Sequence, residues 1–213
     1  MEFISQEIDN YVCNHTENEP SILYDLNRQT NLEVLRPRML SGHFQGRVLS
    51  MLSHMISPKN VLEIGTYTGY SALCFAEGIQ DEGKIITIDI NEELEDLIRE
   101  YISKSDYSDK VDFIVGDAME IIPTLKEEFD LVFIDADKQN YTNYYHLVFD
   151  KVKKGGYIIA DNVLWSGKVV EDYNETDRDT QLLMEFNKMI QDDHRVQNVL
   201  FPIRDGLMIA RKI

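Results

Sequence analysis

The sequence predicts an α/β fold: a doubly wound, mostly parallel seven-stranded sheet with an antiparallel last strand and an N-terminal helical cap. Three observations predict it. From residue 60 onward, short apolar runs alternate with helical patterns long enough to serve as crossovers between parallel strands. The first run ends in a glycine-bearing turn, Glu63-Ile64-Gly65-Thr66-Tyr67-Thr68-Gly69, with a helical pattern beginning near Tyr70, as in a first βα unit. Arg204-Asp205-Gly206 divides the last two runs and carries a hairpin signal.

In chain order, residues 2–57 read as helical. Phe3, Ile4, Ile8, Tyr11 and Val12 fall near i, i+4 and i+8 spacing, and Ile22, Leu23 and Leu26 mark a second helix after Pro20. A third runs from about Gly42 to Met55, with Phe44, Val48, Leu49, Leu52, Met55 and Ile56 expected on its inner face, and ends before Ser57-Pro58. Strands are expected at Asn60–Ile64, Lys84–Asp89, Val111–Val115, Asp130–Ile134 and Tyr157–Ala160, with helices roughly over 70–79, 91–104, 117–125 and 139–151. A polar loop follows residue 161, then a helix near 177–191 and the strand-like runs Val196–Ile203 and Gly206–Ile213. No repeat or linker appears, so residues 1–213 read as one domain, with 1–57 as cap and 58–213 as sheet core.

A chain of 213 residues can bury a substantial core, and 43% apolar with 10% aromatic content is ordinary for a globular protein. The formal net charge of −17 disfavours phosphate-rich partners, whose binding is driven by Lys and Arg. Cys13 and Cys74 form no ligand or redox spacing and read as buried thiols. The five histidines are scattered and none sits in a ligand spacing. No apolar run approaches a membrane span and no basic, apolar leader opens the sequence, so a cytoplasmic location without membrane contact is expected.

The glycine turn is built to hold a ligand: Gly65 and Gly69 let it lie against backbone, and the following helix offers unpaired N–H groups. Neither G-x-G-x-x-G nor G-x-x-x-x-G-K-[ST] occurs. Glu63 would repel a pyrophosphate and suit a ligand with a positive end. Asp89 closes the second strand about twenty residues after Gly69, where nucleoside-binding folds place a ribose-binding acid; the plainer alternative is a helix N-terminal acid.

Two later strands also end in acids: Phe133-Ile134-Asp135-Ala136-Asp137-Lys138 and Ile158-Ile159-Ala160-Asp161-Asn162. Because the carboxyl ends of parallel strands share one crevice, Asp135, Asp161 and Asn162 are expected to face one another near the turn. Singly, each Asp reads as a cap or turn residue. Together, oxygen donors with no nearby Cys or His suit a hard divalent cation: magnesium, with manganese or calcium as alternatives.

These strings resemble the class I S-adenosylmethionine-dependent methyltransferases, and within them the cation-dependent O-methyltransferases of the catechol and caffeoyl-coenzyme A group. The resemblance spans nearly the whole chain and is most specific in Asp135-Ala-Asp-Lys138 and Asp161-Asn-Val-Leu-Trp165. It implies a Rossmann-like methyltransferase domain in which Ser41, Glu63, Gly65, Tyr67, Ser71, Asp89, Ala118 and Asp137 contact S-adenosylmethionine. It further implies that Asp135, Asp161 and Asn162 hold the metal and that Lys138 is the base; a salt-bridge role for Lys138 is the alternative. Relatives are often homodimers, so a homodimer is expected.

The implied reaction is methyl transfer to a metal-chelated vicinal dihydroxy aromatic. A phenol of pKa about 10 is mostly protonated at neutral pH, so chelation and a nearby base both help. Trp165 and Ser166 stand where substrate contact is expected, and Trp165, Tyr67, Tyr173 and Phe44 are candidates to wall an aromatic pocket. The loop from Gly167 to Thr180 carries Glu171, Asp172, Glu175, Asp177 and Asp179, which points to a small, uncharged or cationic catechol rather than a coenzyme A thioester. Two alternatives remain: a methyltransferase for hydroxylated uridine in tRNA, using a basic patch around Arg28, Arg36, Arg38 and Arg47, and a non-catalytic cofactor-binding interaction protein.

Overall fold

The computed structural model describes residues 4–213, so Phe3 lies outside the described residues. Seven strands belong to one sheet, ordered β3-β2-β1-β4-β5-β7-β6: β1 Asn60–Ile64, β2 Lys84–Asp89, β3 Val111–Val115, β4 Phe129–Ile134, β5 Val152–Ala160, β6 Val196–Phe201 and β7 Leu207–Lys212. Strand β7 runs antiparallel to its neighbours, β5 and β6. The helices are α1 Gln6–Asn14, α2 Ser21–Glu33, α3 Gly42–Ile56, α4 Tyr70–Ala76, α5 Glu95–Lys104, α6 Ala118–Ile121, α7 Tyr141–Phe149 and α8 Arg178–Asp192. Among the described residues, no helix is long and apolar enough to cross a membrane. The chain forms two compact units, Ile4–Ala118 and Met119–Ile213.

In the first unit, β1 pairs parallel with β2 and β2 with β3; the register sets Glu63 beside Thr87 and Ile64 beside Ile88. Val61, Leu62, Ile64, Ile85 and Ile88 are buried, the continuous apolar pattern of strands covered on both faces. Helix α1 forms where its spacing predicts, with Ser5 accepting from the Ile8 N–H, yet it buries none of its residues: Ile8 and Tyr11 are exposed.

Helix α3 differs from expectation in the face it buries. Of the predicted inner residues only Leu49 is buried; Met55 is exposed, and the inward stripe is Gln45, Gly46, Leu49, Ser50 and Ser53. Small residues win here because α3 and α4 approach closely. A Cβ on Gly46 would stand 2.6 Å from the Tyr70 ring, and one on Gly78 would stand 2.2 Å from the His54 nitrogen. Polar residues fit the same stripe because they find partners: Ser53 donates to the Phe75 carbonyl at 2.6 Å, and Arg47 forms a two-pronged ion pair with Glu77 at 2.6 and 2.8 Å.

In the second unit, β4 and β5 pair parallel with a bulge after Phe129. Strand β5 starts at Val152, earlier than expected, because the Phe129 N–H recruits the Lys151 carbonyl at 2.8 Å and ends the preceding helix at Phe149. The predicted helix over 117–125 shrinks to one α turn and a 3-10 turn, Ile122–Thr124, because Pro123 lacks the N–H that a continuing helix needs. Helix α8 begins at an Asp177 cap that accepts the Thr180 N–H, and it buries Leu183, Phe186 and Ile190. Its Phe186 meets Tyr141 edge-on at 5.5 Å.

Candidate active site

In the unit of residues 4–118, the glycine turn is built against the end of β2. Gly65 adopts φ 99° and donates its N–H to the Ile88 carbonyl at 2.9 Å. Tyr67, a non-glycine residue at φ 52°, donates its N–H to the Asp89 carboxylate at 2.7 Å and its hydroxyl to the Arg36 carbonyl at 2.9 Å. Gly69, at φ 87°, closes the turn onto the Thr66 carbonyl and opens α4. Glu63 is fully buried at the end of β1 and accepts a hydrogen bond from the Thr87 hydroxyl. Ser41 and Ser71 are buried before α3 and in the first turn of α4, and Ala118 is buried at the start of α6.

Asp89 does more than either sequence reading supposed. One oxygen braces Tyr67 and the other accepts the Asn91 N–H at 2.9 Å, so this carboxylate shapes the turn itself. The cap on the short helix that follows is Asn91, which accepts the Glu93 N–H.

In the unit of residues 119–213, residues that follow β4 and β5 gather around one lysine. The Lys138 Nζ stands 2.5 Å from the Tyr141 hydroxyl, 2.9 Å from Asn162 Oδ1, 3.1 Å from the Ala136 carbonyl and 3.3 Å from Asp135 Oδ1. Its side chain is only 9% exposed, lies against the Tyr141 ring and stands 5.7 Å from the Trp165 ring. Tyr141, itself buried, donates its hydroxyl proton to the Asp161 carbonyl at 3.0 Å, so it can only accept from Lys138. Burial, then the nearby Asp135, Asp161 and Asp137, raises the Tyr141 pKa well above the usual tyrosine range and keeps the phenol protonated. Asp161 is buried and its carboxylate takes the Asn162 N–H at 2.7 Å. Asp137 points to a separate pair, accepting from Asn140 and from the Tyr144 hydroxyl, each at 2.7 Å.

Asn162, Trp165 and Ser166 adopt φ of 58°, 47° and 55°, a conformation that costs a non-glycine residue about 1–3 kcal/mol. The β6–β7 connection over-determines it. Asp205 accepts the Ser166 N–H on its carboxylate and the Leu164 N–H on its carbonyl, while Gly206 packs so closely on Leu164 that a Cβ would stand 2.5 Å from it. Burial raises the Asp205 pKa above the usual carboxylate value. Tyr141, Thr87 and the role of Asp205 escaped sequence reasoning. The i, i+3 spacing Asp135, Lys138, Tyr141 was the available signal for the first, since it puts three side chains on one face of a turn.

Asp135 and Asn162 both turn an oxygen toward a positive charge, the Lys138 ammonium, which stands in for a cation there. Asp161, which precedes Asn162 after β5, is a third oxygen donor, and oxygen donors alone are the chemistry that suits a hard divalent ion. Among the described residues, no three His, Cys, Asp or Glu side chains form a metal cluster; the candidate donors here are two carboxylates and one amide. Of the basic residues proposed as a nucleic-acid patch, Arg28, Arg36 and Arg38 are exposed, whereas Arg47 is committed to Glu77 with 9% of its side chain exposed.

Residues 13–213 match the model of a family described as O-methyltransferase. A caffeoyl-CoA O-methyltransferase from Eucalyptus globulus is 40% identical over 187 residues, covering 82% of this chain and 75% of the relative. Among solved structures, an O-methyltransferase from Bacillus cereus in complex with SAH superposes with a TM-score of 0.90 at 29% identity, covering 97% of each chain. The SAH-bound methyltransferase PaMTH1 from Podospora anserina gives 0.89 at 28% identity, covering 97% of this chain and 94% of the other.

Proposed function

The chain belongs to the O-methyltransferase family, and from that premise we propose that it moves the methyl group of S-adenosylmethionine to one hydroxyl of a vicinal dihydroxy aromatic. The observation that carries this reading is the lysine set among Asp135, Ala136, Tyr141 and Asn162. S-adenosylmethionine is supported as donor by the SAH in two relatives of similar fold and by the acidic Glu63 at the turn, since the donor carries an ammonium and a sulfonium.

Asp135, Asp161 and Asn162 are the residues that would hold a divalent cation, in the first place magnesium. When bound, it would chelate both aromatic oxygens, lower the phenol pKa and set the angle of attack. Lys138 takes the proton of the attacking hydroxyl. Two of its acceptors, the Ala136 carbonyl and the Tyr141 hydroxyl, lie outside the cation-binding set and hold its Nζ in place for that transfer. As the oxygen–methyl bond forms, the carbon–sulfonium bond breaks and the donor leaves as a neutral thioether. The Trp165 ring beside Lys138 offers a face for the aromatic acceptor.

For the acceptor, the loop after Trp165 favours a small catechol. Its two basic side chains are already paired, Lys168 with Asp177 at 2.6 Å and Arg178 with Glu185 at 3.6 Å, while the acids Glu171 and Glu175 are exposed. Caffeoyl-CoA, named by the plant relatives, is the competing acceptor of the same class. The tRNA alternative is weakened by the loss of Arg47 to its ion pair and by the net charge of −17. Radiolabelled methyl transfer, measured to catechol and to caffeoyl-CoA with and without chelator, tests the reading. Transfer to catechol that chelator abolishes is expected; chelator-insensitive transfer removes the cation, and transfer to caffeoyl-CoA alone removes the small acceptor.

A further inference from the structure

We infer that Thr87, a residue of β2 with no place in the donor-binding set, is the positioning residue that fixes the Glu63 carboxylate and the glycine turn as one unit and so sets the affinity for the methyl donor. The inference rests on the reading of that turn as the donor site. Three successive turn residues are held by three successive residues of β2. Gly65 bonds to the Ile88 carbonyl, Thr66 to the Thr87 hydroxyl and Tyr67 to the Asp89 carboxylate, at 2.9, 2.6 and 2.7 Å. Only the middle tie reaches Glu63.

The hydrogen-bond directions are determined by proton count. Thr87 has one hydroxyl proton and gives it to Glu63, which as a carboxylate can only accept. Thr66 must therefore donate its own proton to the Thr87 oxygen. All three side chains are at most 1% exposed, so no water competes for these bonds. Parallel pairing sets Glu63 directly beside Thr87 across the β1–β2 register, which makes the first contact a property of the sheet. The chain Thr66–Thr87–Glu63 thus ties the conformation of the turn to the orientation of a buried charge. The hydroxyl of Thr87 touches both.

The test compares the Kd for S-adenosylhomocysteine, by calorimetry, across four proteins besides wild type. T87V keeps the shape and removes the hydroxyl, and should raise Kd about tenfold, the usual worth of one hydrogen bond to a charged group. T87S restores the hydroxyl and should bind within about twofold of wild type. T66V leaves the Thr87–Glu63 bond and should give a smaller loss. T66V/T87V should be no weaker than T87V alone, because the two bonds act as one chain. In turnover, kcat at saturating donor and KM for the acceptor should stay at wild-type values in T87V, a split that general damage to the fold would not produce. Wild-type Kd in T87V, equal losses in T87V and T87S, or additive losses in the double variant each overturn the inference. Should T87V fail to fold, T66V with wild-type Kd overturns it. Wild-type protein that does not bind S-adenosylhomocysteine overturns the donor-site reading and this inference with it.

Discussion

Replacing Lys138 by Met separates its charge from its bulk. Methionine keeps an unbranched stem against the Tyr141 and Trp165 rings, while the bonds of the Nζ to Tyr141, Asn162, Ala136 and Asp135 all disappear. If the lysine is the base, kcat should fall about 10²–10⁴-fold, the range for losing a positioned proton acceptor, or about 3–5 kcal/mol in the barrier. Donor affinity should hold if Asp137 contacts the donor as proposed, because its carboxylate is fastened by Asn140 and Tyr144 and not by Lys138. Cation affinity should rise. The ammonium is a like charge at the Asp135 and Asn162 oxygens, so its removal lowers the repulsion a divalent ion meets there. A purely neutralising lysine makes the opposite prediction for turnover, since a bound divalent ion would replace its charge. Steady-state kinetics at saturating donor and catechol, with calorimetric titration of manganese, decide between them. Turnover within threefold of wild type, or weakened manganese binding, would refute the reasoning.

Two other perturbations probe the frame around the site. Arg47→Met breaks the ion pair with Glu77, whose partners are 9% and 13% exposed, and strands a carboxylate that Ser50 alone then serves; urea denaturation should show a loss of about 3–5 kcal/mol, partly recovered in R47M/E77Q, and a loss below about 1 kcal/mol would contradict a buried pair. Hydrogen bonds from Arg195, helped by the Tyr145 hydroxyl, hold the Asp193 carboxyl well below the usual carboxylate range. A depressed folded pKa means that the stabilisation is complete above the unfolded value of about 4 and is lost as pH falls below it. D193N should therefore flatten the acid limb of a stability–pH curve below about pH 4, by at most about 1 kcal/mol because Arg195 is 56% exposed; an unchanged limb in D193N would assign the acid sensitivity to other carboxylates.

What could be read from the chain alone was whatever local sequence specifies. Strands β1, β2 and β3 fall on the residues predicted for them because an apolar run bounded by turn residues is a short-range signal. The hairpin at Arg204–Gly206 was legible for the same reason: Gly206 adopts φ 92° and its N–H closes onto the Ile203 carbonyl at 2.9 Å. Boundaries failed where a remote strand intervened. Strand β5 starts early because Val152 pairs with Phe129 of β4, which no property of residues 139–156 announces.

The site divides along the same line. The sequence by itself determined which residue types end the strands, and hence that carboxylates, an amide and a lysine would gather in one class of chemistry. Only the tertiary structure decided what each one touches: that Asp89 braces the Tyr67 backbone, that Tyr141 stands between Lys138 and the Asp161 carbonyl, and that Thr87 joins Glu63 to Thr66. The same holds for α3, where Met51 and Met55 are exposed while Gly46, Ser50 and Ser53 face α4. Periodicity reports which faces repeat along an element. It carries no record of how near another element comes, and at these contacts the distance of approach, set by residues far away in the chain, chose small and hydrogen-bonding side chains over large apolar ones.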